Sequence, residues 1–309
     1  MKKYIIIILL SVLTWKGFSQ GFVPLYDQFQ VNGLAINPAY AGSENVFSNT
    51  LMFKKQWVGF EGAPTYQTLS SHTPLRNESI GLGLLLVHES MHVIDNYEVY
   101  TNYAFRIPLG NGRLSLGLKA GFSLRQASWS EIETYAGGNV DPVFSQGYGE
   151  RAFLPNAGVG VYFRGESMQA GLSVPYLLHY EENPTHDGFT MQHAPNFYDF
   201  LAFFSYRIGL SDQLSVEPMT LMRYRYQFVP QWDAGLKVVY NNSFGIGGTY
   251  RSPEQLTIMA EYQINEQFWL GYTYEYPFGE LSNATSGSHG VILRYDLRFK
   301  IEATNPRNF

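Results

Sequence analysis

The first residues whose types and spacing could do chemistry are His88-Glu89-Ser90-Met91-His92. An H-E-x-x-H pattern holds zinc when it lies on a helix, where two imidazoles one turn apart share the ion and the glutamate activates water. Here the five residues continue an alternating run that begins at Ile80, and the glycine and third histidine of the longer metzincin pattern do not follow. The expected role is therefore a polar strand end at a rim, with no metal. Ser70, Ser71 and His72 could be recruited to a hydrolase dyad. They sit in one strand-like run, and ordinary strand composition accounts for them. No glycine-rich phosphate loop and no cluster of metal ligands is present. Cysteine is absent too, which removes disulfides, thiolate metal sites, a cysteine nucleophile and a lipidated cysteine. The expectation is a protein without catalytic, cofactor or metal residues, not an enzyme. Asn241-Asn242-Ser243 and Asn283-Ala284-Thr285 fit a glycosylation pattern but read as turn residues.

What would position any site here is a long series of strands. Tyr 23, Phe 22 and Gly 30 are high, while charged residues make up 15% against a usual share of about a quarter. Scarce charge with abundant aromatic and glycine residues suits strands and tight turns. The formal charge of −5 argues against a nucleic-acid surface, which needs clustered Lys and Arg. In Arg113–Arg125, Leu114, Leu116, Leu118, Ala120, Phe122 and Leu124 alternate with Arg113, Ser115, Gly117, Lys119, Gly121, Ser123 and Arg125, giving one oily and one wet face. Similar runs recur to the C-terminus, about fourteen of them, each close to the length a tilted strand needs to cross a bilayer. Short connections at 76–78, 110–112, 165–166, 210–212, 241–242 and 265–267 contrast with long ones at 126–151, 178–195 and 277–288. The fold class is thus all-β, a transmembrane antiparallel barrel with a short N-terminal periplasmic or plug segment. Closure is what satisfies every backbone donor and acceptor in lipid.

Three regions follow. Lys2 and Lys3, the apolar run Tyr4–Leu13 and the small residues around Gly17-Phe18-Ser19 read as a signal peptide over 1–19. Residues 20–45 form an N-terminal extension, periplasmic or filling part of the lumen, and 46–309 the outer-membrane barrel. Tyr97, Trp232, Trp269 and Tyr276 fall near strand ends, where aromatic girdles belong. The wet face carries both signs, among them Glu98, Arg106, Lys119, Arg164, Glu217, Lys237, Glu261, Glu275, Arg294 and Asp296, which reads as an ion-paired lumen rather than a one-sign selectivity path. Aromatic residues and histidines in the long loops are suited to partner binding: Trp129, Tyr135, Phe144 and Tyr148 in the first, and His179, Tyr180, His186, Phe189 and His193 in the second.

Between Leu34 and Leu75 lie the least generic combinations. Asn37-Pro38 and Ala41-Gly42 should stop any helix, because Pro38 fixes its own φ and disfavours the helical region at Asn37. Ile36-Asn37-Pro38-Ala39-Tyr40-Ala41-Gly42, then Gln56-Trp57-Val58-Gly59-Phe60-Glu61-Gly62-Ala63-Pro64 and His72-Thr73-Pro74-Leu75, resemble the N-terminal signature of the PorP/SprF family of Bacteroidota outer-membrane proteins. The resemblance implies a component or accessory of the type IX secretion system, without catalytic residues or cofactors. It also implies partners: a cognate secreted adhesin or its C-terminal sorting domain, anchored at the cell surface, periplasmic secretion machinery and outer-membrane lipid, with gliding motility in some species. The alternative is an outer-membrane channel for small solutes or hydrophobic ligands.

Overall fold

The computed structural model describes residues 29–76, 78–128, 151–182, 189–252 and 255–298. The expected signal peptide, the start of the extension and Phe299 onward lie outside them. The first half of the barrel is β1 (Phe47–Lys55), β2 (Thr65–Pro74), β3 (Ile80–Met91), β4 (Ile94–Leu109), β5 (Gly112–Ala127), β6 (Arg151–Arg164) and β7 (Met168–Val174). A separate hairpin, β8 (His179–Glu182) with β9 (Phe189–Gln192), follows. The second half is β10 (Phe200–Tyr206), continued past Arg207 by β11 (Ile208–Gly209), then β12 (Leu214–Tyr224), β13 (Gln231–Tyr240), β14 (Phe244–Arg251), β15 (Gln255–Gln263), β16 (Phe268–Pro277) and β17 (Ser288–Leu297).

Each strand pairs antiparallel with its neighbour, β7 pairs with β10, and β1 pairs with β17 from Phe47↔Leu297 to Lys55↔His289, closing a barrel of 14 strands. Closure leaves no exposed edge, the condition for a sheet in lipid. The alternation places side chains as the sequence implies. Leu118 is 59% exposed on the outside while Lys119 beside it is 2% exposed on the inside. Leu51 and Phe53 face out, and Ser48, Thr50, Met52 and Lys54 face in.

Two features depart from the pattern read in the sequence. The inner face of β3 is not simply wet: Leu85 and Val87 point into the lumen and are buried with Tyr100 and Ala35. Trp269, expected in an aromatic girdle, has inward-facing Arg294 as its cross-strand neighbour and lines an internal cavity, whereas Tyr97, Trp232 and Tyr276 are exposed on the outside. The alternating period assigns a face only once the register is known, and Phe268 and Leu270 take the lipid side of β16.

The even strand count brings Phe47 and Leu297 to the end that carries the turns after β2, β4, β6, β11, β13 and β15. The opposite end carries the long connections and also short ones, His92-Val93 between β3 and β4 and 252–254 between β14 and β15. The lipid-facing register makes a depth-dependent prediction. Leu118→Arg, in the body of β5, should cost about 2–4 kcal/mol of folding free energy in a refolding titration into vesicles, and Leu109→Arg, at the β4 rim, about 0–1 kcal/mol. Equal costs at the two positions would reject the register.

Candidate functional site

The site that the barrel builds is its own lumen, occupied by residues 29–45, the described segment before β1. A helical turn at Gly33–Ile36 ends at Asn37, whose backbone is extended as the following proline demands, and a 3-10 turn Pro38–Tyr40 follows. Leu34, Ala35, Ile36, Ala39 and Ala41 are each at most 3% exposed. In isolation so short a segment would not hold a shape, because too few backbone bonds repay the ordering entropy. Its conformation is fixed by the wall.

The fit to the wall is steric. A Cβ at Gly117 of β5 would lie 2.1 Å from Ala39 N, one at Gly81 of β3 2.0 Å from Ala41 O, and one at Gly160 of β6 2.1 Å from Asn37 Oδ1. Real Cβ atoms do not approach so closely, so these positions admit the segment only as glycine. Gly42, at φ 75°, makes the exit turn, and a Cβ there would meet Gly81 Cα at 2.9 Å.

Polar groups then fix the register of the segment. Asn37 uses its whole amide: Oδ1 accepts from Ala39 N–H at 2.9 Å, and Nδ2 donates to the carbonyls of Val161 (2.9 Å) and Leu172 (3.3 Å), which are paired across β6 and β7. Ser173 Oγ donates to Ile36 O at 2.6 Å, and Gly42 N–H donates to His72 Nδ1 at 3.2 Å. His72 thus serves as an acceptor for the segment. Phe29 and Ile36 pack on Leu201, Met219 and Leu221 of the adjoining strands β10 and β12.

The charged anchor is Glu44. Its carboxylate receives Arg164 at 2.6 Å and Arg294 at 3.3 Å, so one residue ties the segment to β6 and to the closing strand β17. Tyr40 Oη donates to the same carboxylate, and the Tyr40 ring stands edge-on to Tyr162 and His72. Burial pushes the Glu44 carboxyl up, but Arg164, Arg294 and the Tyr40 hydroxyl together hold it well below the usual carboxylate range. Burial, then the Glu44 charge, push the Tyr40 hydroxyl far up, so it stays a donor.

The rest of the lumen is ion-paired as the sequence implies. Lys54 meets Glu275 at 2.7 Å, Arg251 meets Asp233 at 2.6 Å, Arg223 and Arg225 share Asp199, and Lys237 lies between Glu217 and Glu261. Asp199 and Asp233 fall on the wet side of the alternation in the sequence, without their partners being legible there, and Glu44 was not singled out. Each lies just before a strand or near its end, where alternation gives a weak signal. Lys119 is bracketed by the Tyr100 and Tyr176 rings at 4.2 and 3.7 Å, and Tyr176 Oη donates to Glu98. A cavity of about 370 Å³ remains between the segment and the β10–β17 side.

At the opposite rim, the second half of the signature forms a clasp. Gln56 N–H donates to Pro64 O, Val58 N–H to Gly287 O, Ser286 N–H back to Val58 O, and His92 N–H to Gly62 O. Gln56 is buried, Trp57 takes φ 43°, Gly59 is exposed, and Phe60 at the tip is 55% exposed. His88, Glu89 and Ser90 of the H-E-x-x-H pattern lie on β3, with His92 in the turn. His88 contacts Asp95 at 3.0 Å and stacks on Tyr97. A strand spaces the two histidines instead of stacking them on one helix face.

Of the residues expected to bind a partner, Trp129, Tyr135, Phe144, Tyr148 and His186 lie outside the described residues. The others cluster around the β8–β9 hairpin. His179 stacks on Phe197, Tyr180 Oη donates to Pro155 O, Phe189 receives the Arg125 guanidinium at 5.3 Å, and His193 O accepts from Tyr198 Oη. These contacts hold the hairpin to the rim, and Met191 remains 52% exposed.

A closed, lipid-faced barrel with paired charges inside defines an integral outer-membrane β-barrel protein. A sequence model described as "Type IX secretion system membrane protein PorP/SprF" matches residues 19–295, and the chain belongs to that family. No curated protein matches the sequence. Among solved structures it is similar to the CymD monoaromatic hydrocarbon channel (10% identity, 87% of this chain and 92% of that one, TM-score 0.52). A deletion mutant of the TodX monoaromatic hydrocarbon channel is also similar (10% identity, 86% and 94%, TM-score 0.50). So is the outer membrane protein Omp33 of Acinetobacter baumannii (5% identity, 82% and 99%, TM-score 0.48). At such identities the likeness concerns the fold.

Two predictions test the interlock. With no native cysteine, a single Ser43→Cys reporter at a 3% exposed position should react slowly with a maleimide in the folded protein. Adding Gly117→Val should raise that rate at least about tenfold, because the wall no longer admits Ala39. An unchanged rate would mean that the segment does not depend on the glycine. The second concerns pH. Since the folded carboxyl of Glu44 is depressed below its ordinary value of 4.5, its contribution is fully present above that pH and lost as pH falls further. Expressed relative to a free thiol at the same pH, which cancels the falling thiolate fraction, reporter labelling should therefore accelerate on acidification below about pH 4.5. Glu44→Gln should label faster at neutral pH and show a flatter acid dependence.

Proposed function

We propose that this barrel is a docking and anchoring component of type IX secretion, not a conduit. In this reading the end with long connections faces outward and holds a cognate secreted adhesin through its C-terminal sorting domain. The short-turn end, with the entry of the lumen segment, faces periplasmic secretion machinery, since short turns are periplasmic in outer-membrane barrels. Trp129, Tyr135, Phe144, Tyr148, His179, Tyr180, His186, Phe189 and His193 are proposed as the outward recognition surface, aromatic side chains being effective interface anchors.

The observation that carries the reading is the interlock of Leu34–Gly42 with the wall glycines and with Arg164 and Arg294 through Glu44. A pathway for solutes gains nothing from a segment whose backbone is fitted to the wall. The similar fold of channels for monoaromatic hydrocarbons supplies the competing reading, that of a pore.

Planar-bilayer recording separates the two. The full-length mature protein should be nearly silent, while a variant lacking 29–45 should conduct. Steady conductance by the unaltered protein would sink the docking-only reading. The partner surface has its own test. Replacing 131–148 and 181–193 with short Gly-Ser linkers should preserve heat-modifiable migration of the barrel but abolish retention of the partner found by affinity purification from native outer membrane. Retention that survives both replacements would move the partner to the periplasmic face.

A further inference from the structure

We infer that the short-turn mouth contains a binding site for a phosphate-type oxyanion, built from Arg106 of β4 and Ser43 of the lumen segment. Arg106 is 2% exposed and makes one side-chain hydrogen bond, from Nη2 to Asn45 Oδ1 at 2.6 Å. Its Nε and Nη1 have no hydrogen-bond partner, and among the described residues it faces no carboxylate at ion-pair distance. Ser43, 3% exposed, likewise has an unpartnered Oγ. Both residues line a cavity of about 320 Å³ that lies between the segment, the β4–β5 turn and the β6–β7 turn.

Most other lumen cations set the contrast, Lys119 between the Tyr100 and Tyr176 rings being a second exception. Arg164, Arg223, Arg251, Arg294 and Lys54 each have a carboxylate in the barrel. A buried guanidinium does not shed its proton, so an unpaired one is strongly unfavourable unless an anion joins it. The planar fork of N–H donors suits a tetrahedral oxyanion, and a serine hydroxyl supplies a further donor. Arg113 and Arg164 also line the cavity and add positive field, although Glu78 and Glu44 already engage them. Exposed Glu166 at the rim is the one carboxylate in the lining among the described residues. The ligand would bridge the plug and the wall, since one donor set belongs to each. Inorganic phosphate and the headgroup of a phospholipid from the inner leaflet share this chemistry.

The test uses the mature protein purified in detergent without phosphate. Thermal unfolding is followed as sodium phosphate replaces sodium chloride at matched ionic strength. Phosphate should raise Tm saturably in the unaltered protein, Arg106→Gln should abolish the rise, and Ser43→Ala should weaken apparent affinity several-fold. A rise no larger than that in chloride, or equal rises in the unaltered protein and Arg106→Gln, would overturn the site. If Arg106→Gln loses heat-modifiable migration, Ser43→Ala decides, and unchanged affinity there overturns the assignment. Native mass spectrometry then identifies the source. A phospholipid-mass adduct present on the unaltered protein and absent from the variant supports the headgroup, and an adduct-free protein that keeps the phosphate-dependent rise supports the free anion.

Discussion

The constraint on which the rest of this barrel depends is the close approach of one main-chain segment to a wall stripped of side chains. At Gly81, Gly117 and Gly160 even a methyl group would overlap Leu34–Gly42 atoms or the Asn37 side chain. Glycine in a strand ordinarily weakens it and leaves a gap on the face. Here each gap is filled by backbone. Sheet propensity is given up at three positions in exchange for a lumen packed by a segment that has almost no regular structure of its own. Because interiors are close-packed, the segment and wall specify each other, and a change on either side displaces the other.

Electrostatics reinforces this geometry without replacing it. Paired charges buried in a lumen are weak evidence for stability, since desolvation offsets much of their attraction. Their geometry gives them another use. Glu44 joins β6 to β17 across the lumen through one carboxylate, and Asp199 collects two arginines near the β10 entry. Such links fix which strands the segment touches, so the network acts on register and orientation more than on net stability. Arg106 and Lys119 stand outside this balance; two tyrosine rings cover Lys119, whereas Arg106 borders the cavity at the short-turn mouth.

Much of the barrel could be read from the chain. Lipid-facing residues such as Leu114, Leu116 and Leu118 alternate without a break because one solvent, lipid, acts on all of them. The inner face has no single solvent. Leu85 and Val87 are apolar there because Ala35 covers them, and Trp269 turns inward because its two neighbours take the outer face. Gly81, Gly117 and Gly160 were legible only as small members of a wet face, since their contacts lie some 40 to 120 residues away in sequence. The long connections were assigned to partner binding from composition alone. Around β8–β9, His179 and Phe189 find intramolecular partners that composition does not disclose.

The residues by which the sequence resembles its family are largely internal. Asn37 is 4% exposed with every amide group engaged, Ala39 is fully buried, and Gln56 is 4% exposed. A residue spent in this way cannot choose among extracellular partners, because discrimination requires contacts that differ between them. What Asn37–Gly42 and Gln56–Pro64 specify is a packed lumen near one end and a clasped rim at the other, joined directly by β1, the strand that also closes the barrel against β17. Any contact with another molecule must then use side chains that this framework leaves exposed, and among the signature residues Phe60 at the clasp tip is one of them. A rigid scaffold that holds exposed loops is the usual division of labour for recognition, and among the described residues the division falls between a lumen fitted to the segment before β1 and a rim where Phe60 and Met191 face solvent.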